Sequence, residues 1–295
     1  MIPAYTGQPA GGWLTLPAGT FELDPSSDIH RIQTEGISYD RAINRWVPAD
    51  WNHLSADGRR YAWLSGNGLR VDDARTGAGK AIALPNIDGV WVVVDFNEQG
   101  VYLTDIGGLG APTQLGLWLA NPDTGQIRRL DSTQYWSEID ATAAWGVKTG
   151  SSDVELMRLD FRTGAVTTEL TVPYHHPAQP GDRSLELLAL DLQGRPLVLI
   201  RDWQKLYPWR LALLTGVGTL GDVTIPDSWA AGWPPADNGD PYQLWRTVRG
   251  YRLSQGIWMI GNHSFPGVAF LGSDGIVRQL SAQPEEVSAI AGGCH

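Results

Sequence analysis

"LSADGRRYAWLSGNGLRVDDARTGAGKAIALP", residues 54–85, contains four short apolar segments separated by Gly-containing turns. Its apolar residues alternate with a period of two, which is typical of β-strands rather than helices. Asp-Gly and Thr-Gly pairs are frequent hairpin turns, because Gly adopts the positive φ that such turns require. The stretch therefore predicts four antiparallel strands joined by tight turns.

The same pattern recurs along the chain. Thr-Gly turns end at Gly77, Gly125, Gly164 and Gly216, and an Asp-Gly turn ends at Gly275. Four-stranded units repeated every ~40–60 residues predict the blades of a β-propeller. Five complete blades are predicted over residues 51–86, 87–132, 133–173, 174–227 and 228–283.

The two ends of the chain supply the remaining strands. Residues 12–49 contain three segments ("GGWLTLP", "GTFELDP" and "ISYDRAINRWVP"), and residues 284–294 contain one. We expect them to form a sixth blade shared between the termini, because this closure leaves no open sheet edge. The predicted fold class is thus an all-β, six-bladed β-propeller with four antiparallel strands per blade, in a single domain of residues 1–295. Seven blades are the alternative, since residues 1–50 hold more chain than three strands require.

Two glycine-rich motifs resemble phosphate-binding loops. A phosphate loop ending at Gly79-Lys80 would need Gly and a hydroxyl residue where this chain has Ala74 and Ala81. The "GVGTLG" motif, residues 216–221, is followed by the β-like "DVTIPD" instead of the helix that a dinucleotide site needs. Both are predicted to be hairpin turns.

Composition excludes several classes of protein. The formal net charge of −10 argues against nucleic acid as a partner. A single cysteine, Cys294, allows no intrachain disulfide. No apolar run is long enough for a membrane span, and the N-terminus lacks the pattern of a signal peptide. We expect a monomer without a cofactor, extracellular or in the cell envelope if a signal peptide has been removed and cytoplasmic otherwise.

Two stretches resemble a known family. "LSADGRRYAWL" is similar to the Ser-Pro-Asp-Gly repeat of six-bladed propellers of the TolB and WD40-like type, with Ala56 in place of Pro. "LWLANPDTGQIRRL", residues 117–130, is similar to the second half of that repeat. The resemblance implies the architecture and an exported bacterial protein. It implies no single activity, because that family includes interaction proteins and peptidase-associated propellers.

Tryptophan is unusually abundant, with 14 residues. Four tryptophans precede or begin the predicted innermost strand of a blade: Trp51, Trp91, Trp136 and Trp229. They are interpreted either as wedges between neighbouring blades or as an aromatic rim around the mouth of the channel. Exposed aromatic clusters bind sugars, apolar groups and cations.

Histidines provide a second signal on the same predicted face. His53, His176 and His263 lie in loops that lead into innermost strands or join the second and third strands of a blade. Their spacing matches no metal motif, and no metal is predicted. Long loops are often functional, and residues 228–250 break the repeat with a Pro- and Trp-rich insertion.

These patterns favour a non-enzymatic protein that binds a protein partner or a small ligand, such as a carbohydrate, at this face. The predicted binding residues are Trp51, His53, Trp91, Trp136, His176, Trp229 and His263. A carbohydrate-active lyase or hydrolase using the same face, with or without a metal ion, is the alternative. No catalytic residue is predicted, because no acid, base and nucleophile can be assembled from the sequence.

Overall fold

The chain has an all-β fold in a computed structural model. The structure describes residues 1–6, 10–27, 36–66, 68–85, 90–105, 116–133, 136–173, 185–201, 209–226, 249–253, 256–260, 267–281 and 287–291. Over these ranges the only helices are two 3-10 turns, Pro25–Ser27 and Trp51–His53. Neither is long and apolar enough to cross a membrane.

The fold divides into two compact units. Unit 1 comprises Met1–Pro25, Thr149–Met157 and Thr168–His295, and unit 2 comprises Ser26–Lys148 and Arg158–Thr167.

Unit 1 contains three four-stranded sheets. Sheet A has the order β25-β1-β2-β3, with β1 Ile2–Thr6, β2 Gly11–Thr15, β3 Thr20–Leu23 and β25 Val287–Ile290. Sheet F consists of β17 Leu185–Leu190, β18 Pro196–Arg201, β19 Trp209–Gly216 and β20 Thr219–Asp222. Sheet G consists of β21 Arg249–Leu253, β22 Gly256–Ile260, β23 Val268–Leu271 and β24 Val277–Ser281.

Unit 2 contains sheets of two, three and four strands. Sheet B pairs β4 Ser38–Asp40 with β5 Arg45–Val47. Sheet C consists of β6 Arg60–Ser65, β7 Gly68–Asp73 and β8 Gly79–Ala83, and Leu54 adds a bridge to Tyr61. Sheet D consists of β9 Trp91–Asn97, β10 Gly100–Asp105, β11 Leu117–Ala120 and β12 Ile127–Asp131.

One further sheet, sheet E, is also four-stranded. It consists, in order, of β13 Glu138–Ile139, β14 Ala143–Thr149, β15 Asp153–Asp160 and β16 Val166–Pro173. Sheets C to G follow chain order, and each described pairing within a sheet is antiparallel. The two-residue apolar period therefore predicted the all-β character of the chain correctly, and none of the described sheets closes on itself.

The N-terminal strands differ from the expectation. β25 does pair with N-terminal chain, but its neighbour is β1, which lies before residue 12. "ISYDRAINRWVP" forms the separate hairpin β4–β5 instead of a strand of sheet A. β1 pairs with β25 on one edge and with β2 on the other, so sheet A reaches four strands without this segment. Val47 and Ala49, in and just after β5, pack against sheet C through Tyr61 and Trp63.

Three of the four Thr-Gly turns share one hydrogen-bonding pattern. In the β7–β8 turn, the carboxylate of Asp73 accepts bonds from the backbone N–H of Arg75 and Thr76 and from the Thr76 hydroxyl. Gly77 then adopts a φ of 69°. The turns that begin at Asn121 and Asp160 repeat the backbone contacts, each followed by a Gly at positive φ. Asp or Asn four residues before Gly is thus part of the repeat.

One predicted turn has a different geometry. In the β19–β20 turn, the glycine at positive φ is Gly218, with a φ of 64°, and not Gly216. Gly216 remains the last residue of β19 and pairs with Thr219. The hairpin prediction for "GVGTLG" is therefore right, but its φ assignment to Gly216 is wrong.

Replacing Asp73 and Asp160 by Asn should make folding less sensitive to acid. Backbone and side-chain hydrogen bonds from Thr76 and Thr163 hold the pKa of these two carboxyls below the usual value. Their stabilising effect is therefore complete above the unfolded pKa of 3.8 and is lost as the pH falls through the lower folded pKa. Asn121 already fills this role without a charge.

Urea unfolding between pH 2 and pH 7 tests the expectation. The free energy of unfolding of the double Asn variant should match that of the parent near pH 7 and should fall less below pH 4. Asp73→Ala should be less stable near pH 7 and also below pH 4. An equal loss for Asn and Ala at pH 7 would show that the side-chain oxygen does not hold the turn.

The core of unit 2 lies between sheets C and D. Ala62, Leu69 and Ile82 of sheet C contact Val93 and Leu103 of sheet D, and all five are buried. This contact fixes the position of β9, which carries part of the candidate site.

Gly100, the first residue of β10, should tolerate no side chain. Its φ is 139°, and a Cβ added there would lie 2.4 Å from the carbonyl oxygen of Ala120. We expect Gly100→Ala to lower the free energy of unfolding by about 2–4 kcal/mol, through backbone strain and steric overlap. Gly77→Ala is a matched control, because Gly77 also has a positive φ but no heavy atom lies within 4 Å of the added Cβ. If urea unfolding gave similar losses for the two variants, steric overlap with Ala120 would not be the cause of the loss at Gly100.

Candidate functional site

Three of the predicted tryptophans lie in unit 2, near the start of a sheet. Trp91 is the first residue of β9. Trp51 opens the 3-10 turn that precedes Leu54, and Trp136 lies two residues before β13. In sheets C and D, these starting points lie opposite the turns that contain Gly77 and Gly125. We call the end with the starting points the loop end and the other end the turn end.

The 3-10 turn is tied to β9 by two side chains. Asn52 Nδ2 donates to the carbonyl oxygen of Val94 at 2.8 Å, and His53 Nε2 lies 3.0 Å from the carbonyl oxygen of Val93. A β-bulge explains this pair of contacts. The β9–β10 register pairs Val93 with Leu103 and Asp95 with Tyr102, so it skips Val94. His53 is therefore a donor to the backbone that positions the turn.

The 3-10 turn and the start of β9 present apolar side chains at the loop end. Val90 is 52% exposed, and Trp51 and Trp91 are each half-buried. The ring of Trp91 packs edge-on against Trp118, with 5.6 Å between the ring centroids. Trp91 also contacts the buried core between sheets C and D. We call Trp51, Val90 and Trp91 the tryptophan surface.

Trp136 does not belong to an exposed rim. It is fully buried, and its Nε1 donates to Asp131 Oδ2 at 3.0 Å. A fully buried indole cannot contact a ligand on the surface. Of the two interpretations of these tryptophans, a structural wedge fits Trp136 and a binding rim does not. Trp51 and Trp91 remain partly accessible, because each is only half-buried.

Carboxylates accompany the tryptophan surface at the loop end. Asp105 is buried and is the cross-strand partner of Trp91. Asp50 precedes Trp51 as the N-cap of the 3-10 turn, without a side-chain capping bond. Asp131 ends β12, at the same end of sheet D.

Basic residues of sheets B to D concentrate at the opposite, turn end. Arg60 bonds the Asp123 side chain at 2.7 Å, and Lys80 donates to the Asp123 carbonyl at 3.0 Å. Arg45 likewise donates to the carbonyl oxygen of Arg75 in the β7–β8 turn. Arg129 is an exception. It lies near the loop end, where its guanidinium stacks over Trp118 at 5.0 Å. The loop end of sheet D therefore carries two carboxylates, those of Asp105 and Asp131, and one guanidinium, that of Arg129, which is stacked on Trp118.

Other predicted site residues lie outside the described ranges, namely His176, Trp229 and His263. In the part of the chain that the structure describes, no three His, Cys, Asp or Glu residues are grouped so that they could hold a metal ion.

Two residues of this region were missed by the sequence reasoning. In the sequence, Asn52 is recognisable only as a polar residue between two aromatic ones in "DWNHL". The Val94 carbonyl that accepts its hydrogen bond lies at a bulge in β9, which no local sequence pattern predicts. Val90 was missed because one apolar residue before a strand does not indicate whether its side chain is exposed.

Comparisons with known proteins show only distant likenesses in structure. No protein-family model matches the chain, and no curated protein matches it. TolB from Acinetobacter baumannii is similar with a TM-score of 0.41 and 16% identity, over 96% of this chain and 66% of that chain. An oligogalacturonate lyase in complex with manganese has a TM-score of 0.43 and 16% identity, over 84% and 71% of the two chains.

The dipeptidyl peptidase 4 of Porphyromonas gingivalis is a third such structure. Its TM-score is 0.44 at 10% identity, and the likeness covers 76% of this chain and 38% of the peptidase. The chain thus spans less than two thirds of TolB and of the peptidase. At these scores, the three likenesses identify neither a family nor a function.

Proposed function

We propose that the chain is a β-propeller whose six blades are sheets A, C, D, E, F and G, closed through the blade that β25 shares with the N-terminal strands. Support comes from the repeated antiparallel order of the sheets and from the pairing of β25 with β1. In this proposal the short hairpin β4–β5 is an addition to the six blades.

The proposed function is non-enzymatic binding of a partner at the tryptophan surface. The observation that carries it is the double hydrogen bond from Asn52 and His53 to the bulge in β9. It fixes a turn bearing Trp51 against the strand bearing Trp91, while Val90 stays more than half exposed. Rigidly held and partly exposed aromatic side chains are typical anchors of binding sites, because little conformational entropy is lost when a partner binds.

A screen with defined probes tests this function. The protein is applied to an array of oligosaccharides and to a displayed library of random 12-residue peptides, and each ligand found is measured again with Trp91→Ala. We expect at least tenfold weaker binding, as for a central aromatic contact. Trp13→Ala is the matched control, because Trp13 is also half-buried but lies in sheet A. The proposal fails if neither probe set binds, or if every ligand binds Trp91→Ala as tightly as the parent.

A further inference from the structure

The chemistry of the tryptophan surface narrows the kind of partner, if the proposed function holds. Carbohydrate sites combine aromatic rings with several polar groups that bond the sugar hydroxyls. Here, the polar atoms that face β9 are already used, since Asn52 Nδ2 and His53 Nε2 contact the carbonyl oxygens of Val94 and Val93. The part left at the surface is mainly apolar, with Val90 52% exposed beside Trp91. Such a surface suits an apolar side chain better than a sugar ring.

The charge of this region is a second criterion for the kind of partner. Asp50 and Asp131 lie at the loop end of sheets C and D, where Arg129 is stacked over Trp118 and Asp105 is buried. Arg60 and Lys80 are bound to the Asp123 turn at the turn end. The whole chain carries a formal net charge of −10. Both the local carboxylates and the overall charge attract a cationic partner and slow the approach of an anionic one.

We infer that the tryptophan surface binds a polypeptide segment that places an apolar side chain against Val90 and Trp91 and carries Lys or Arg beside it. The apolar anchor is buried against Val90 and Trp91, and the flanking cations face Asp50 and Asp131 at the loop end. Cation–aromatic contacts with the half-buried residues Trp51 and Trp91 add to the same preference.

The peptide library tests this inference by composition. The expected result is that retained peptides are enriched in Lys or Arg next to Leu, Ile, Val or an aromatic residue, and that one of them, resynthesised, binds more weakly as salt rises from 50 to 500 mM. Val90→Lys should weaken this peptide at least tenfold through loss of the anchor contact and charge repulsion. Val217→Lys is the matched control, because Val217 is a 73% exposed valine in the β19–β20 turn, and it should change the affinity less than twofold.

Three outcomes would overturn the inference. Peptides enriched in Asp or Glu would contradict the charge criterion, and equal effects of Val90→Lys and Val217→Lys would contradict the location. Oligosaccharides that bind in a Trp91-dependent manner, with no peptide retained, would exclude a polypeptide partner while leaving the proposed binding function intact. Failure of all probes to bind would instead reject the proposed function itself.

Discussion

Removal of residues 284–295 is expected to destabilise unit 1 strongly. The deletion takes away β25, which pairs with β1, and a backbone bond from Ala291 N–H to the carbonyl oxygen of Pro3. Val287 and Ile290 are 2% and 1% exposed, so their loss alone costs about 3–6 kcal/mol of burial energy. The deletion also exposes an edge of β1 to intermolecular pairing. We therefore expect a lower melting temperature and aggregation on heating.

A point substitution separates packing from chain length. Ile290→Asp places a carboxylate at a 1% exposed position and should reproduce most of the loss. Ile276→Asp is the control, because Ile276 is 39% exposed and should tolerate the change to within about 1 kcal/mol. If the truncated chain and Ile290→Asp melted like the parent, β25 would not contribute to the stability of sheet A.

Trp136→Ala is expected to lower the free energy of unfolding by about 3–5 kcal/mol, the range for truncating a fully buried aromatic residue. The substitution leaves a cavity and removes the hydrogen bond to Asp131. Trp91→Ala should cost less, because Trp91 is only half-buried and the removed atoms lie partly in water. Chemical unfolding of both variants gives the comparison.

Trp136→Phe is a useful intermediate. It keeps most of the buried volume and loses the indole N–H, so it should cost less than Trp136→Ala. A loss for Trp91→Ala that equalled the loss for Trp136→Ala would mean that both residues are structural wedges. The tryptophan surface would then have no aromatic residue available for binding from β9.

The strands of this fold were predictable because the signals are local. Alternation of apolar residues and the Thr-Gly turns at Gly77, Gly125 and Gly164 mark strand and turn independently of the rest of the chain. β1 was missed because "IPAYT" is short, begins next to the N-terminus and contains Pro3, a residue that weakens a strand prediction. Its two neighbours in sheet A lie at opposite ends of the chain, which a local pattern cannot show.

The candidate site was less predictable than the fold. Trp91 and Trp136 have similar sequence contexts, each following a turn-like segment at the start of a sheet. One is half-buried and the other fully buried, and the difference depends on a partner, Asp131, which only the folded chain brings to the Trp136 ring. The contacts of Asn52 and His53 likewise depend on a bulge in a neighbouring sheet.

The indole N–H signals of the 14 tryptophans give the most direct test of the tryptophan surface. They are resolved in a proton–nitrogen correlation spectrum, assigned by single Trp→Phe variants and recorded while a peptide retained by the library is added. The signals of Trp51 and Trp91 should shift as the peptide binds, while those of the buried Trp136 and Trp46 stay in place. Binding that leaves the Trp51 and Trp91 signals unchanged would contradict the proposed surface.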